Sequence, residues 1–315
     1  MELDDQTAAF LAVGEGSPPL CDLSVAEARE ALREMSFGAG GEQVEVGRWE
    51  ARTVPGPAGP VPVRIYWPTD QLNGSPRPVL LFFHGGGFAL GDVSTHDNIC
   101  RILCAGGDVI VVNVDYRRSP ENKFPAATDD CYAVLEWAAA EAENLGGNPD
   151  RIAVAGDSAG GNLAAVIAQM ARDKGGPAIT YQILIYPVVD MDANFETPSR
   201  KRFGEAGYVL TRKDMAWLTE LYVINKGDVR NPYVSPLYAL DFTGLPSALV
   251  LTAGCDPLCD DGRIYAERLT AAGVAVEYHC YENTVHGFVS FSGVVDLGKQ
   301  ALALICQRLN ILSAD

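Results

Sequence analysis

Gly156 and Gly160 bracket Ser158 at the spacing G-x-S-x-G, inside the stretch Ala155-Gly156-Asp157-Ser158-Ala159-Gly160-Gly161. The apolar run from Arg151 to Ala155 leads in, and a small-residue, helix-prone run from Asn162 to Met170 leads out. Together they predict a buried strand, a very tight turn and a helix. Glycine is required at 156 and 160 because so sharp a turn brings strand and helix backbones too close for side chains. The turn lifts the Ser158 hydroxyl clear of the sheet and onto the first turn of the helix. There the free N–H of Ala159 can face an oxygen anion. A glycine-rich loop whose serine merely caps a helix is the alternative reading of this stretch taken alone.

A turn of this kind needs a sheet around it, and the flanking sequence supplies one. Residues 43–51 alternate as a half-exposed edge strand should, and a Pro/Gly turn leads to a second hairpin arm over 61–67, where Pro62 suits an edge. Continuous apolar runs at 78–83 and 109–114 read as strands buried on both faces. Further strands at 151–155, 181–186, 248–253 and 276–281 alternate with helices at 126–144, after Ser158, at 258–272 and at 293–311. That alternation predicts an α/β fold with a mostly parallel, eight-stranded sheet flanked by helices.

Two segments fall outside the rhythm. Residues 1–42 are helical before the first strand, with Ser24 and Glu27 forming a capping box ahead of apolar positions 25, 28, 31, 32 and 35. They must pack on a domain that forms without them, as a lid or a brace. Residues 190–235 are longer than a connection needs and helical from Thr211 to Asn225. An insertion there lies over the C-terminal ends of the strands, where such sheets bind ligands, and is read as the second part of the cap. The core is then 43–189 with 236–315.

Composition excludes several roles. A formal charge of −17 over 315 residues argues against a nucleic-acid partner, which needs concentrated Lys and Arg. No stretch is long and apolar enough to span a membrane, and the acidic N-terminus lacks the basic flank of an export signal, so a cytoplasmic location is expected. The eight cysteines are scattered, mostly in apolar patterns, and read as thiols. Cys255 and Cys259 are four apart, but no nearby Cys or His pair would complete a zinc site. No metal and no cofactor is implied.

Three further loops carry chemistry. His84-Gly85-Gly86-Gly87-Phe88 follows the strand at 78–83, and its exposed amides can point at a small anion. With Ala159, the amides of Gly85 and Gly86 would form an oxyanion hole. A phosphate cradle is the alternative, but the loop has no Lys and does not open directly into a helix. His84 is read as fixing that loop by hydrogen bonding. Asp256 ends the strand at 248–253 on the same sheet edge as Ser158, and Pro257 stops the strand; Asp260 and Asp261 compete but fall in the first turn of the next helix. Of the four histidines, His279 lies in a strand, His96 begins a helix, and His286 alone occupies a late loop at that edge. The chain order is nucleophile, acid, base: Ser158, Asp256, His286.

These residues make the chain similar to the hormone-sensitive-lipase-like carboxylesterases of the α/β-hydrolase superfamily. The resemblance rests on His84–Gly87, Asp115-Tyr116-Arg117-Arg118-Ser119-Pro120-Glu121, Phe124–Asp130, Gly156–Gly161, Ser235-Pro236-Leu237, Asp256-Pro257-Leu258 and His286-Gly287-Phe288. It spans residues 78–290 and is weaker before residue 75. It departs at Ser119, Asn122 and Cys255, where the family usually differs, and these bear on substrate range. The resemblance implies serine-dependent hydrolysis of small-molecule esters with short- to medium-chain acyl groups, under a two-part cap. The acyl group is expected against Phe88, Tyr186, Val188, Leu210 and Phe288. A homodimer paired along the last strand is a further expectation. Two alternatives stay open: a receptor-like binding module on the same fold, and acyl transfer from amides, lactones or carbamates.

Overall fold

The computed structural model describes residues 2–68, 75–205 and 207–314. Met1, residues 69–74, Ala206 and Asp315 belong by position to the segments assigned above and lie outside the described residues. The strands are β1 (Arg48–Val54), β2 (Val61–Trp67), β3 (Arg77–Phe83), β4 (Ile110–Val114), β5 (Gly147–Asp157), β6 (Tyr181–Ile185), β7 (Ser247–Cys255) and β8 (Val276–Val285). They form one eight-stranded sheet in the order β1-β2-β4-β3-β5-β6-β7-β8. β1 and β2 pair antiparallel, as do β2 and β4; every later pairing is parallel.

The alternation of side chains along β3 explains how the sheet is covered. Val79, Leu81 and Phe83 face Leu135, Leu163 and Ile167 of helices α4 (Ala126–Glu141) and α5 (Ala159–Lys174). Leu80 and Phe82 point the other way, against Leu103 of α3 (Asp97–Gly107) and Leu302 and Ile305 of α9 (Asp296–Ala314). A strand buried on both faces must be apolar throughout, which is why β3 carries no alternation in its sequence.

Two expectations about the hairpin need correction. The first strand begins at Arg48, not 43. The preceding residues leave the sheet because α3 holds them: the Val44 N–H donates to Asn98 Oδ1 at 2.9 Å, and the Asn98 amide donates to the Gly40 and Glu42 carbonyls. Pro62 lies in an internal strand, since β2 has β1 on one side and β4 on the other. It is tolerated because the ladder to β4 starts only at Val63.

The segments before β1 form α1 (Asp5–Val13) and α2 (Val25–Ala39), the latter with the Ser24–Glu27 capping box. Between β6 and β7 come a short α6 (Pro198–Phe203) and α7 (Arg212–Tyr222), which starts on a Thr211–Asp214 capping box, and α8 (Cys259–Ala271) follows β7. Ala28 and Leu32 of α2 pack with Ala89, Leu90 and Leu218, so α2 joins the loop after β3 to α7. Arg29 donates to the Ala89 and Ser119 carbonyls and pairs with Glu121, and the Cys21 N–H donates to Asp214 Oδ1 at 3.0 Å.

Candidate active site

Ser158 sits between β5 and α5 with φ 55° and ψ −115°, a conformation a non-glycine residue adopts only where its surroundings impose it. The surroundings here are backbone. A Cβ on Gly160 would overlap the Phe83 carbonyl oxygen and lie 2.6 Å from its carbon, and one on Gly156 would overlap the Gly160 carbonyl. The Ser158 N–H donates to Ile185 O at 2.8 Å, tying the turn to β6.

The three loops meet. Ser158 Oγ lies 2.9 Å from His286 Nε2, and His286 Nδ1 lies 2.7 Å from Asp256 Oδ2. Asp256 is fully buried, and its other oxygen accepts the Leu258 N–H at 2.8 Å, which holds the carboxylate in place beside the imidazole. The competing carboxylates are engaged elsewhere. Asp261 forms a buried two-point pair with Arg200, at 2.7 and 3.0 Å, and Asp260 accepts from the Ser199 N–H and Arg263. A hydroxyl, an imidazole and a buried carboxylate in this order can transfer a proton away from the hydroxyl and leave it nucleophilic.

The glycine loop differs from expectation at one position. Gly85, taken from the sequence as an oxyanion donor, gives its N–H to Asp157 Oδ1 at 2.8 Å, so that amide is occupied. Among the described residues no acceptor faces the amides of Gly86, Gly87 or Ala159, and Gly87 and Ala159 line the cavity beside Ser158. The open pair in this loop is therefore Gly86 and Gly87. His84 braces the loop as expected: its Nδ1 lies 2.9 Å from Gly85 O, its carbonyl accepts from the Tyr116 hydroxyl at 2.7 Å, and the two rings stack. Burial pushes His84 down to about 3, so it is a neutral strut. Arg118 donates to Gly91 O, and the Ser119 N–H to Phe88 O.

A cavity of about 290 Å³ opens beside Ser158. Phe88, Val188 and Leu210 line it, together with Met191, Phe195, Met215, Leu218 and Leu258. Tyr186 and Phe288 do not line it. Both are fully buried, with the Tyr186 ring 4.9 Å from that of His286 and 5.6 Å from that of Phe288. They end on the α3/α9 side of the sheet and form a wall behind the imidazole.

With this geometry, a family model for the alpha/beta hydrolase fold matches residues 80–290. The chain belongs to the hormone-sensitive-lipase-like esterases of the α/β-hydrolase superfamily. Among characterised relatives, it is 46% identical to esterase LipI of Mycobacterium tuberculosis over 250 residues, covering 79% of this chain and 77% of that one. It is 33% identical to an ethyl acetate hydrolase of Pseudomonas putida over 98% of this chain and 99% of that one. Among solved structures, a hyperthermophilic esterase from the archaeon Pyrobaculum calidifontis superposes with a TM-score of 0.92 at 40% identity, covering 100% of both chains.

Two residues of this α/β-hydrolase escape the sequence analysis. Asp157 is the x of G-x-S-x-G, and His96 precedes α3; the structure brings them to 3.1 Å, both buried. No spacing rule links positions so far apart. The only cue in the sequence is a carboxylate placed where β5 must be buried. Met215 and Leu218 are missed for a different reason. Helical periodicity marks them as inward-facing but cannot say whether that face meets a core or a cavity.

Proposed function

We propose that this α/β-hydrolase cleaves esters of short- to medium-chain acids, with Ser158 as nucleophile, His286 as general base and acid, and Asp256 orienting the imidazole. The observation that carries this reading is the unbroken chain from Ser158 Oγ through His286 to Asp256. Neutral His286 takes the Ser158 proton at Nε2 as Oγ bonds to the ester carbonyl carbon. The carbonyl electron pair moves to oxygen, where the Gly86, Gly87 and Ala159 amides hold it; one such donor typically contributes about 3 kcal/mol in the transition state. The ester C–O bond then breaks, the alcohol leaves with the proton from Nε2, and water attacks the acyl-enzyme by the same route. Because a protonated imidazole cannot act as the base, hydrolysis is expected to fall toward acid. A profile flat down to about pH 4 would remove His286 from that role.

The cavity volume of about 290 Å³ lies at the small end of ligand pockets, roughly 300–1,000 Å³, and its apolar lining suits a short acyl chain. A p-nitrophenyl ester series tests the substrate class. We expect kcat/KM to peak at roughly two to eight carbons and to collapse for the longest chains. A maximum at the longest chains would place the substrate among lipids. Faster turnover of the matching amide or lactone would move the reaction to another acyl transfer.

Residues 1–42 and 190–235 act together as the cap in this reading. None of the described residues 2–42 lines the cavity; α2 acts on it through Leu218, which it packs and which does line it. Deleting residues 1–35 is expected to shift acyl-length preference or abolish activity. An unchanged substrate profile would mean the segment plays no part in the cap. The outer edge of β8 is the side on which two copies would pair as a homodimer.

A further inference from the structure

We propose that His96 is a positioning residue for the oxyanion loop: as a buried cation it holds the Asp157 carboxylate that pins the Gly85 amide, leaving Gly86 and Gly87 free to face the substrate oxygen. The inference rests on the serine-hydrolase reading above and concerns residues that touch no substrate.

The protonation state of His96 follows from the hydrogen bonds around it. The Thr95 hydroxyl donates its single proton to Asp92 O at 2.8 Å and also accepts the Asp92 N–H at 2.9 Å. It can therefore only accept from His96 Nδ1, 2.9 Å away, so Nδ1 carries a proton. On the other side, His96 Nε2 lies 3.1 Å from Asp157 Oδ1, the oxygen that also accepts the Gly85 N–H at 2.8 Å. The Gly85 N–H also lies 3.3 Å from Nε2, a longer contact than its 2.8 Å bond to Asp157 Oδ1, and the 3.1 Å approach of Nε2 to that anionic oxygen is a hydrogen bond only with a proton on Nε2. Two ring protons make His96 an imidazolium.

Burial makes the pair consequential. His96 is 3% exposed and Asp157 4%, and a carboxylate that deep needs a charged partner to stay ionised. Burial works against the His96 cation, but the Asp157 carboxylate together with Asp92 offsets it and raises the imidazole above its ordinary range. Burial likewise opposes the Asp157 charge, and His96 together with the Gly85 N–H and His84 offsets it and draws the carboxyl below its ordinary range. The other groups facing His96 are His84 at the end of β3, neutral and with its ring 5.6 Å away, and Asp92 in the turn before α3. Arg118 acts on His84. Asp92 is itself held by Arg33 of α2 at 2.6 Å, so the N-terminal helix anchors the same turn.

Gly85 directly precedes the two donors, and a Cβ there would overlap the Asp157 carboxylate, so the loop is fitted against that side chain. Losing the clamp displaces Gly86 and Gly87 from the oxyanion, which forms only in the transition state. The loss therefore falls on kcat and not on KM.

The test uses the full-length enzyme with a short-chain p-nitrophenyl ester, and a trifluoromethyl ketone that Ser158 converts to a bound oxyanion. Asp157→Ala is expected to lower kcat on the order of 100-fold with KM within about 3-fold. Asp157→Asn keeps an acceptor for Gly85 and is expected to recover most of that loss. His96→Gln is expected to lower kcat about 10-fold, and the fall in kcat expected of the wild type at alkaline pH as His96 loses its proton should be absent from the variant. Ketone affinity should drop in step with kcat. If Asp157→Ala does not fold, His96→Gln and Asp157→Asn decide the matter. A folded Asp157→Ala or His96→Gln variant that keeps kcat and the wild-type pH profile, or that changes KM alone, overturns the clamp, as does an Asp157→Asn variant that loses as much kcat as Asp157→Ala is expected to lose. A wild type that fails to react with a fluorophosphonate overturns the hydrolase reading itself, and the clamp with it.

Discussion

Ser158→Ala is expected to lower kcat for ester hydrolysis by on the order of 10⁶-fold and to abolish covalent labelling by a fluorophosphonate. The hydroxyl is the only group at the tip of the β5–α5 turn that can form the acyl-enzyme, and its proton has a defined acceptor in His286 Nε2 at 2.9 Å. What survives in the variant is the open amides and the cavity, which bind substrate but supply no nucleophile. Stability should change little, by within roughly 0.5 kcal/mol, because the strained φ of 55° belongs to the backbone and is the same for alanine. The measurement pairs turnover with a denaturant titration. Labelling or turnover that persists in a folded Ser158→Ala protein would place the nucleophile elsewhere. An unlabelled wild type would favour the binding-module alternative.

Gly160→Ala is expected to be the most destabilising single-methyl change at the site, costing about 4 kcal/mol or more. The added carbon would overlap the Phe83 carbonyl oxygen and approach His84 O to 2.8 Å. Those atoms are backbone, so no rotamer change can relieve the clash. Either α5 lifts from the sheet or the end of β3 moves, carrying the glycine loop with it. Against a typical total stability of about 5–15 kcal/mol, the variant should unfold at much lower denaturant and lose activity even where it remains folded. Gly38→Ala is the control. It lies within α2 with nothing inside 4 Å of the new carbon, and is expected to stabilise by about 0.5–1 kcal/mol. Equal effects at the two positions would mean that close approach of backbones is not what requires glycine at 160.

The reacting side chains could be found from the sequence because each sits in a loop just after a strand, with Ser158 and Asp256 following apolar runs and His286 following the alternating strand from Val276. In a parallel sheet all such positions fall on one edge, so Ser158, Asp256 and His286 had to be neighbours once the strands were known. The first strand was placed five residues early for a reason outside its own composition, since Asn98 on α3 removes residues 43–47 from the sheet.

The acyl cavity is where pattern gives way to packing. Tyr186 and Phe288 are apolar, near the right loops, and turned to the wrong side of the sheet, whereas Met215 and Leu218 arrive from α7, a helix whose placement no periodicity specifies. The identity of the oxyanion donors is similar. Three consecutive glycines look alike in sequence, and only the Asp157 carboxylate, reaching across from β5, takes Gly85 out of the set. Strand positions along the chain, helix faces and the nucleophile turn are determined by the sequence alone, because they depend on local periodicity and on where backbones are too close for a Cβ. Which amides stay open, which side chains wall the cavity, and that His96 meets Asp157 are decided by tertiary structure, because each depends on contacts between segments distant in the chain whose separation no local pattern encodes.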